Sequence, residues 1–300
     1  MNPIKDRVIV FDVGGTKTTY GTVENAVISN FKKVNSDIIN KKGVDFFTEI
    51  IDNTEGGISG IIIGVPAVVD NNGKILSAPN LKSIERHNLK DLLKEKYSVP
   101  VFITRDVNLQ LFGEYSTFYK DDYSNALGIF IGTGLGASVI INKKIFTGIN
   151  GAAVEIGHVK YPAGNNIKCN CGKTDCIELY SSGMALDRYI KNYKEETGKD
   201  ITKEFFFSCD DKDLDKYKKL FFDSLVFSVS TLVNLFDPGL VIIGGGVINA
   251  DKFPFDKLVD LIKSDLRKPL PLENTDFRLS QLNYESNIIG GYYFFKSINL

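Results

Sequence analysis

Three glycine-rich turns constrain this chain more than any other feature, because each directly follows a short, largely apolar run rich in β-branched residues. The runs are Arg7 to Val13, Ala126 to Ile131 and Leu240 to Ile243. Such runs are typical of buried strands. Glycine lets the backbone turn sharply and approach a bound group closely. The sequence therefore predicts sheets whose strand ends are shaped for contact with a ligand.

The first two turns open units of the same design. Further strand-like runs follow them, over 18–23 after the first turn and over 137–141 after the second. Residues 142–144, Asn-Lys-Lys, have the composition of a hairpin turn. Two strand–turn–strand units predict two domains that each begin with a β-meander. The polar segment 119–123 marks the predicted boundary between them.

Helical and strand-like patterns alternate along the rest of the chain, which predicts an α/β fold. Before the boundary, the predicted elements are helices over 45–52, 88–96 and 106–117 and strands over 60–64 and 99–104. In the second of these helices, Leu89, Leu92 and Leu93 are expected to share one buried face. Beyond the boundary, helices dominate 181–236, and an apolar helix over 288–295 is expected to return to the first domain. The predicted domains are therefore 1–118, joined by the helix 287–300, and a larger second domain, 119–286.

The composition limits the classes of protein to which this chain can belong. A chain of 300 residues with 43% hydrophobic content can bury a sizeable core and favours two domains. A net charge of −1 gives no excess of basic residues with which to bind nucleic acid. No apolar run reaches the ~18 residues of a membrane helix, and residues 1–11 lack the sections of a signal peptide. We therefore expect a cytoplasmic protein with no nucleic-acid or membrane partner.

The first turn, Asp12-Val-Gly-Gly-Thr-Lys17, has two interpretations. Gly14 and Gly15 can bring backbone N–H groups close to a phosphate, and Thr16 adds a hydroxyl donor. Asp12, at the end of the strand, can hold Mg²⁺ through water. The alternative is a hairpin turn whose glycines adopt positive φ. The motif alone leaves both interpretations open.

The second turn, Gly132-Thr-Gly-Leu-Gly136, matches the loose dinucleotide fingerprint Gly-x-Gly-x-x-Gly/Ala when Ala137 is included. That fingerprint requires a helix directly afterwards, whereas a strand is predicted here. A nicotinamide-dependent oxidoreductase is therefore disfavoured, and no Walker A sequence occurs in the chain. A glycine loop between two strands can still cradle phosphates with its N–H groups.

The third turn, Gly244-Gly245-Gly246, leaves room for a flat ring to approach the backbone. A tight connection from a strand to a helix is the commoner explanation of such a sequence. Three strand-ending glycine turns in one chain nevertheless favour a ligand-binding role over three unrelated connections.

A compact set of metal-ligating residues follows the second unit, in the order His158, Cys169, Cys171 and Cys176. One imidazole and three thiolates satisfy tetrahedral zinc, and such a closed shell is typical of structural metal. The alternative is a set of unrelated buried thiols with a surface histidine, but the chain has only 4 cysteines and 2 histidines. The spacing therefore predicts structural zinc. Cys209 stands apart and is expected to be an ordinary thiol.

Asp106 follows one predicted strand and opens a helix. Aspartate is a favoured N-cap, which is the simpler explanation of this residue. The helix dipole also favours its ionised form, so that the same carboxylate is able to accept a proton.

Taken in order, these motifs resemble the ROK family of sugar kinases and repressors from Val8 to about Gly291. The first two glycine turns are similar to the family's phosphate motifs and the third to its adenosine-side turn. Residues 78–81, Ala-Pro-Asn-Leu, resemble its sugar-binding loop. The most specific similarity is Glu155-Ile-Gly-His158 followed by the cysteine cluster and Glu178, because it fixes six residues of the family signature in order.

The resemblance implies the two-domain actin-like, ribonuclease-H-like ATPase fold, with nucleotide and sugar in the cleft between domains. It implies that Asp106 is the general base and that His158 is both a zinc ligand and a sugar contact. The implied substrate-binding residues are Asn80, Arg105, Asp106, Glu155, His158 and Glu178. The implied ATP-binding residues are Asp12, Gly14, Gly15, Thr16, Lys17, Gly132, Thr133, Gly134, Gly136, Gly244, Gly245 and Gly246. ATP, Mg²⁺ and Zn²⁺ are the implied cofactors, and a homodimer is common in the family.

The sequence departs from the family pattern at Arg105, where asparagine is usual, and at Asp175, where glycine is usual. Arginine is longer, charged and a donor only. We expect it to face solvent, to pair with an acid such as Glu155 or Glu178, or to donate to the sugar and disfavour glucose. Only six residues precede the first predicted strand, so the helix-turn-helix module of the family's repressors is not expected.

The function implied by the resemblance is ATP-dependent phosphorylation of a hexose, glucose or a relative, at O6. One alternative is an N-acetylmannosamine or other N-acetylhexosamine kinase. The other is a protein of the same family that binds sugar without phosphorylating it.

Overall fold

A computed structural model describes residues 6–78, 81–85, 88–250, 252–282 and 285–298. The chain divides into two compact units. The first unit comprises 1–122, 144–153 and 282–300, and the second unit comprises 123–143 and 154–281. The predicted domain ranges differ from these units at 119–122 and 282–286. They also differ in the segment 144–153, which belongs to the first unit.

The first unit is built on a five-stranded sheet with the order β3-β2-β1-β4-β7. Its strands are β1 (Arg7–Val13), β2 (Lys17–Glu24), β3 (Val27–Asn35), β4 (Gly60–Val65) and β7 (Val101–Arg105). Strands β1 to β3 form the predicted antiparallel meander, and β1, β4 and β7 are parallel. A separate hairpin joins β5 (Val68–Val69) to β6 (Ile75–Ser77). The helices are α1 (Asp37–Lys42), α2 (Val44–Asp52), α3 (Leu89–Tyr97), α4 (Asp106–Phe118) and α8 (Ser286–Ile298).

Strand β1 is buried on both faces, which explains its continuous apolar sequence. Ile9 and Phe11 belong to the core that contains α2, whereas Val8 and Val10 belong to a core that contains the last helix, α8. The predicted return of the C-terminal helix to the first half of the chain is therefore confirmed.

Helices α4 and α8 cross at backbone contact, because two glycines face each other there. A Cβ on Gly290 would lie 1.9 Å from the carbonyl oxygen of Leu109, and one on Gly113 would lie 2.1 Å from that of Ser286. No other residue type fits at that separation. The crossing holds α8 against the sheet, where it packs on Val8 and Val10 of β1.

In α3, the predicted apolar face is wrong at one position. Leu89 and Leu93 are buried, whereas Leu92 is 47% exposed. Positions i, i+3 and i+4 form one apolar stripe on a helix, and Leu92 lies at the edge of that stripe, which the core leaves uncovered. The helix begins at Leu89 because Asn88 caps it, with its side chain accepting a hydrogen bond from the N–H of Asp91.

The sheet of the second half has the order β10-β9-β8-β11-β12. Its strands are β8 (Ala126–Ile131), β9 (Leu135–Ile141), β10 (Lys144–Ile145), β11 (Leu240–Gly244) and β12 (Asp276–Leu279), and its helices are α5 (Gly183–Thr197), α6 (Lys212–Phe236) and α7 (Phe255–Asp265). Short 3₁₀ helices span Ile156–His158, Ile177–Leu179, Lys203–Phe205 and Leu272–Asn274. Asn142 and Lys143 have φ of +51° and +63°, as a tight hairpin turn requires. The predicted hairpin turn is therefore confirmed.

Helix α6 meets the length and composition of a membrane span, with a mean hydropathy of 1.4 over 18 residues. The prediction that no continuous apolar run is long enough is not contradicted, because Asp223 and Asn234 interrupt the apolar residues of this helix. Half of that stretch is buried within the protein. Leu214, Phe221 and Leu225 are fully buried in the core of the second unit. The helix is therefore apolar because it forms this core.

Candidate functional site

In the first unit, the carboxyl ends of three adjacent parallel strands bring two acids together. Gly64 in β4 pairs with Asp12 in β1 on one side and with Thr104 in β7 on the other. A Cβ on Gly64 would lie 3.4 Å from the Cα of Asp106, so a glycine there lets the start of α4 approach the sheet. The charge of Asp106 raises the pKa of Asp12, as expected for two carboxylates at one sheet edge.

Asp12 is held by two hydrogen bonds. The amide Nδ2 of Asn287 donates to its Oδ1 at 2.6 Å, and the hydroxyl of Thr19 donates to its Oδ2 at 3.3 Å. Burial, and then the charge of Asp106, raise the pKa of Asp12 to about 7, while these two hydrogen bonds oppose the shift. The carboxylate is therefore only partly ionised at neutral pH unless a cation compensates its charge.

A divalent cation fits beside Asp12 on two observations. A carboxylate whose charge is opposed by burial and by a second acid is stabilised by a bound cation. The Oδ1 of Asn287 is also buried and makes no hydrogen bond among the described residues, so a polar group there still lacks a partner. Sequence reasoning missed Asn287, whose only signal is a polar residue at the start of an apolar helix.

Asp106 is the first residue of α4, and the N-cap is Arg105, which is extended. The N-cap that was expected at Asp106 therefore lies one residue earlier, at Arg105. Its Oδ1 accepts a hydrogen bond from the N–H of Val107 at 2.8 Å. This contact fixes the carboxylate at the end of β7, where the helix dipole favours negative charge.

The first glycine turn is closed by Ser36, which follows β3. The N–H of Gly14 donates to the carbonyl of Lys17 at 3.0 Å, and the hydroxyl of Ser36 donates to the carbonyl of Gly14 at 2.7 Å. Gly14 does not have positive φ, which contradicts that part of the hairpin-turn alternative. It is required for space, because a Cβ would lie 2.5 Å from the Lys17 carbonyl oxygen. Residues 15–17 are exposed and available to a ligand.

The second glycine turn is shorter than predicted, since β9 begins at Leu135 and includes Gly136. The N–H of Gly183, at the start of α5, donates to the carbonyl of Gly132 at 2.8 Å. A Cβ on Gly134 would lie 2.9 Å from Oε2 of Glu178. The acid that closes the family signature therefore lies against the second turn.

The third glycine turn packs on the end of β8. Gly245 has φ of +97°, and a Cβ there would lie 2.5 Å from the carbonyl oxygen of Ile131. The N–H of Val247 donates to that same oxygen at 3.0 Å. Because Ile131 directly precedes the second turn, the second and third turns are neighbours within the second unit. Gly246 faces open space.

The four predicted metal ligands lie together. One ligand atom from each of His158, Cys169, Cys171 and Cys176 lies within 4.8 Å of every other. Nδ1 of His158 is 3.6 Å from Sγ of Cys169, and the sulfurs of Cys171 and Cys176 are 3.5 Å apart. Burial raises the pKa of the Cys169 and Cys176 thiols, and a bound dication reverses that effect by favouring thiolates. Three sulfurs and one imidazole in this arrangement fit tetrahedral zinc.

The backbone conformation and the hydrogen bonds of Asp175 explain why aspartate occupies a position where glycine is usual in the family. Its φ is +56°, a region that glycine favours and aspartate tolerates. Its carboxylate accepts hydrogen bonds from the N–H groups of Asn166 and Ile167, both at 3.0 Å, and from the hydroxyl of Tyr180 at 2.6 Å. Asp175 therefore stabilises the cysteine-bearing loop.

Two acids flank the imidazole of His158. Oε1 of Glu178 lies 3.5 Å from Nδ1, and Oε2 of Glu155 lies 3.9 Å from Nε2. The structure thus brings together the three residues of the second unit that sequence reasoning assigned to the sugar. Asn80, which was also assigned to the sugar, lies outside the described residues, as does Pro79.

The two sheets, with glycine turns at the ends of β1, β8 and β11, define a two-domain protein of the actin-like ATPase fold. The chain belongs to the ROK family, whose model matches residues 8–298.

Known proteins agree with this assignment. The chain is 30% identical over 258 residues to a glucokinase of Halalkalibacterium halodurans, a match that covers 79% of this chain and 76% of that one. It is 28% identical over 258 residues to an N-acetyl-D-glucosamine kinase of Pectobacterium carotovorum, with 81% and 84% covered. A solved ROK family glucokinase from Streptomyces griseus, in complex with glucose and AMPPNP, superposes with a TM-score of 0.79 at 25% identity. That superposition covers 96% of this chain and 98% of the other.

Proposed function

We propose that this protein is an ATP-dependent sugar kinase that transfers the γ-phosphoryl group to a hydroxyl of a hexose, with Asp106 as general base. The observation that carries the proposal is the pair of acids at one sheet edge, Asp12 and Asp106, beside an exposed glycine turn. Phosphoryl transfer needs positioned phosphates, a compensating cation and an oriented hydroxyl, and little covalent chemistry from the protein.

The two acids have different roles in this proposal. Asp106, fixed at the start of α4, takes the proton from the attacking sugar hydroxyl. As it does so, the oxygen of that hydroxyl bonds to the γ-phosphorus, and the bond between this phosphorus and ADP breaks. Asp12 would hold Mg²⁺ through water, and the bound ion would supply the charge that neutralises the phosphates. The turns at Gly14, Gly132 and Gly244 bind the nucleotide with their backbone N–H groups.

The sugar is held, in the same proposal, by Glu155, His158 and Glu178 of the second unit, together with Asp106 and Asn80. Acids on both sides of the imidazole offer acceptors to sugar hydroxyls, and a metal-bound histidine has a fixed orientation. Zinc would be held by His158 and the three cysteines and would be structural, because its four ligands leave no open position.

Glucose or a related hexose, phosphorylated at O6, is the favoured substrate, since two of the kinases similar to this chain are glucokinases. The relative named an N-acetyl-D-glucosamine kinase supports N-acetylhexosamines, N-acetylmannosamine among them, as the second candidate. A sugar-binding protein without kinase activity is the remaining alternative.

The test is a panel of aldohexoses, ketohexoses and N-acetylhexosamines with Mg-ATP, in which ADP release and sugar phosphate are both measured. Sugar binding is measured in parallel by calorimetry without nucleotide. Turnover on one sugar class identifies the substrate. Sugar binding without turnover in any mixture would support the non-catalytic alternative, and neither binding nor turnover would contradict the proposal.

A further inference from the structure

Arg105 is buried within the first unit and reaches the backbone of a distant segment. It is 8% exposed, and its Nη1 donates a hydrogen bond to the carbonyl oxygen of Ala153 at 2.7 Å. Of the three alternatives expected for this arginine, the one in which it faces solvent is therefore wrong. A guanidinium bonded to a carbonyl is a charge-assisted hydrogen bond, among the stronger kinds in proteins.

The carbonyl that Arg105 holds belongs to the peptide bond that enters Val154. Val154 has φ of +63°. A β-branched residue in the left-handed region is a genuine outlier, because its Cβ crowds the backbone. Such a conformation persists only where the surrounding structure imposes it. Glu155, proposed to bind the sugar, is the next residue in the chain.

The segment before Val154 is fixed at further points. Nδ2 of Asn71 donates to the carbonyls of Gly148 at 2.9 Å and Ile149 at 2.8 Å. Gly151 has φ of +75°, and a Cβ there would lie 2.1 Å from the carbonyl oxygen of Val69. Residues 148–153 are therefore held along their length by the first unit, and Arg105 makes the last hydrogen bond before the strained residue.

We propose that Arg105 is a positioning residue for sugar binding: it fixes the peptide plane of Ala153, imposes the left-handed conformation of Val154 and so sets the direction in which Glu155 leaves that turn. The inference rests on the proposed function, since the sugar-binding role of Glu155 does. It assigns to Arg105 an action through the backbone rather than a contact with the sugar.

The experiment compares Arg105→Met, Arg105→Lys and Arg105→Asn with wild type. Amide hydrogen exchange of residues 153–158 is measured first, because it needs no substrate. Arg105→Met is expected to speed exchange at these amides, and Arg105→Lys, which retains one charged donor, to restore part of the protection. The matched control is Arg7→Met, since Arg7 also donates to a backbone carbonyl of the first unit, that of Glu55.

Sugar binding supplies the second readout. Arg105→Met is expected to raise the KM and Kd for sugar by about 10-fold or more, as loss of a charged hydrogen bond implies, with the KM for ATP unchanged. Val154→Gly, which relieves the strain, is expected to remain folded and also to bind sugar more weakly. It keeps the proposal testable if Arg105→Met fails to fold.

The outcomes separate this inference from the proposed function. Unchanged exchange at 153–158 in Arg105→Met overturns the positioning role whether or not the protein is a kinase. If wild type neither binds nor phosphorylates any sugar, the proposed function fails while the exchange result still stands. Arg105→Asn distinguishes the two roles. A higher kcat/KM for glucose would mean that the guanidinium acts on the sugar itself and would overturn the inference. A lower kcat/KM for every sugar would support it.

Discussion

The amide of Asn287, in the last helix, donates a hydrogen bond of 2.6 Å to the carboxylate of Asp12, which lies 275 residues earlier in the first strand. The contact is local within the first unit, since α8 packs directly on β1. It orients the acid that is proposed to hold Mg²⁺ and favours its ionised form.

Replacing Asn287 tests that orientation. Asn287→Ala is expected to weaken Mg²⁺-dependent nucleotide binding by about 5-fold or more, because a hydrogen bond to a charged group is worth about 1.5–3 kcal/mol. Nucleotide affinity is measured by calorimetry across a Mg²⁺ titration. The control is Ser297→Ala in the exposed end of the same helix. A Mg²⁺ dependence identical to wild type would show that Asn287 has no part in the site.

The raised pKa of Asp12 predicts a pH-dependent cost to folding. Because its folded-state pKa of about 7 lies above the usual 3.8, the folded state binds the proton more tightly than the unfolded chain does. Stability from this group is fully present below the unfolded pKa and is lost as pH rises through about 7. Without Mg²⁺ or nucleotide, Asp12→Asn is therefore expected to raise Tm at pH 8 and to have little effect near pH 4. Thermal unfolding checks this, and an equal shift at both pH values would exclude ionisation as the cause.

Asp106→Asn is expected to lower kcat by about 10²-fold or more, the usual contribution of a general base. Asparagine keeps the size of the side chain and its acceptor for the N–H of Val107, so Tm and sugar affinity should stay close to wild type. Steady-state kinetics on the best sugar of the panel measures the effect. Near-normal turnover in the folded variant would show that Asp106 only begins the helix and is not the general base.

The cysteine cluster predicts one tightly bound zinc per chain. Cys176→Ser is expected to release the metal and to weaken sugar binding, since His158 loses its anchor between Glu155 and Glu178. Metal analysis of purified protein, before and after chelation, gives the stoichiometry. Cys209→Ser is the control, because that thiol lies outside the cluster. Purified protein that contains no zinc and yet binds sugar normally would contradict the prediction.

Gly290→Ala tests the crossing of α4 and α8. The added Cβ would meet the carbonyl oxygen of Leu109 at 1.9 Å, so the helices must separate. Overpacking of this kind typically costs about 1–3 kcal/mol, and urea unfolding is the measurement. If the free energy of unfolding is unchanged, α4 and α8 are not in backbone contact at Gly290.

The sequence predicted those parts of the fold that depend on local pattern. The strands before Gly14, Gly132 and Gly244 were recognisable because a buried strand is continuously apolar and its glycines mark the turn. The error at Leu92 arose because the i, i+3, i+4 pattern marks an apolar stripe but does not show how far the core covers the edge of that stripe.

The candidate site was predictable where its residues are close in sequence. His158 and the three cysteines fall within 19 positions, and the structure brings them together. Asn287 and the carbonyl of Ala153 were not predictable, because each meets its partner only through the tertiary fold. A carbonyl oxygen belongs to every residue and carries no sequence signal at all.

The packing of α8 on β1 has a consequence for synthesis of the chain. Strand β1 leaves the ribosome long before α8, yet α8 supplies part of the apolar cluster that buries Val8 and Val10. Until α8 has been made, that cluster is incomplete and Asp12 lacks the amide of Asn287. A chain stalled before residue 286 would therefore leave part of this cluster uncovered and would lack the amide that orients Asp12.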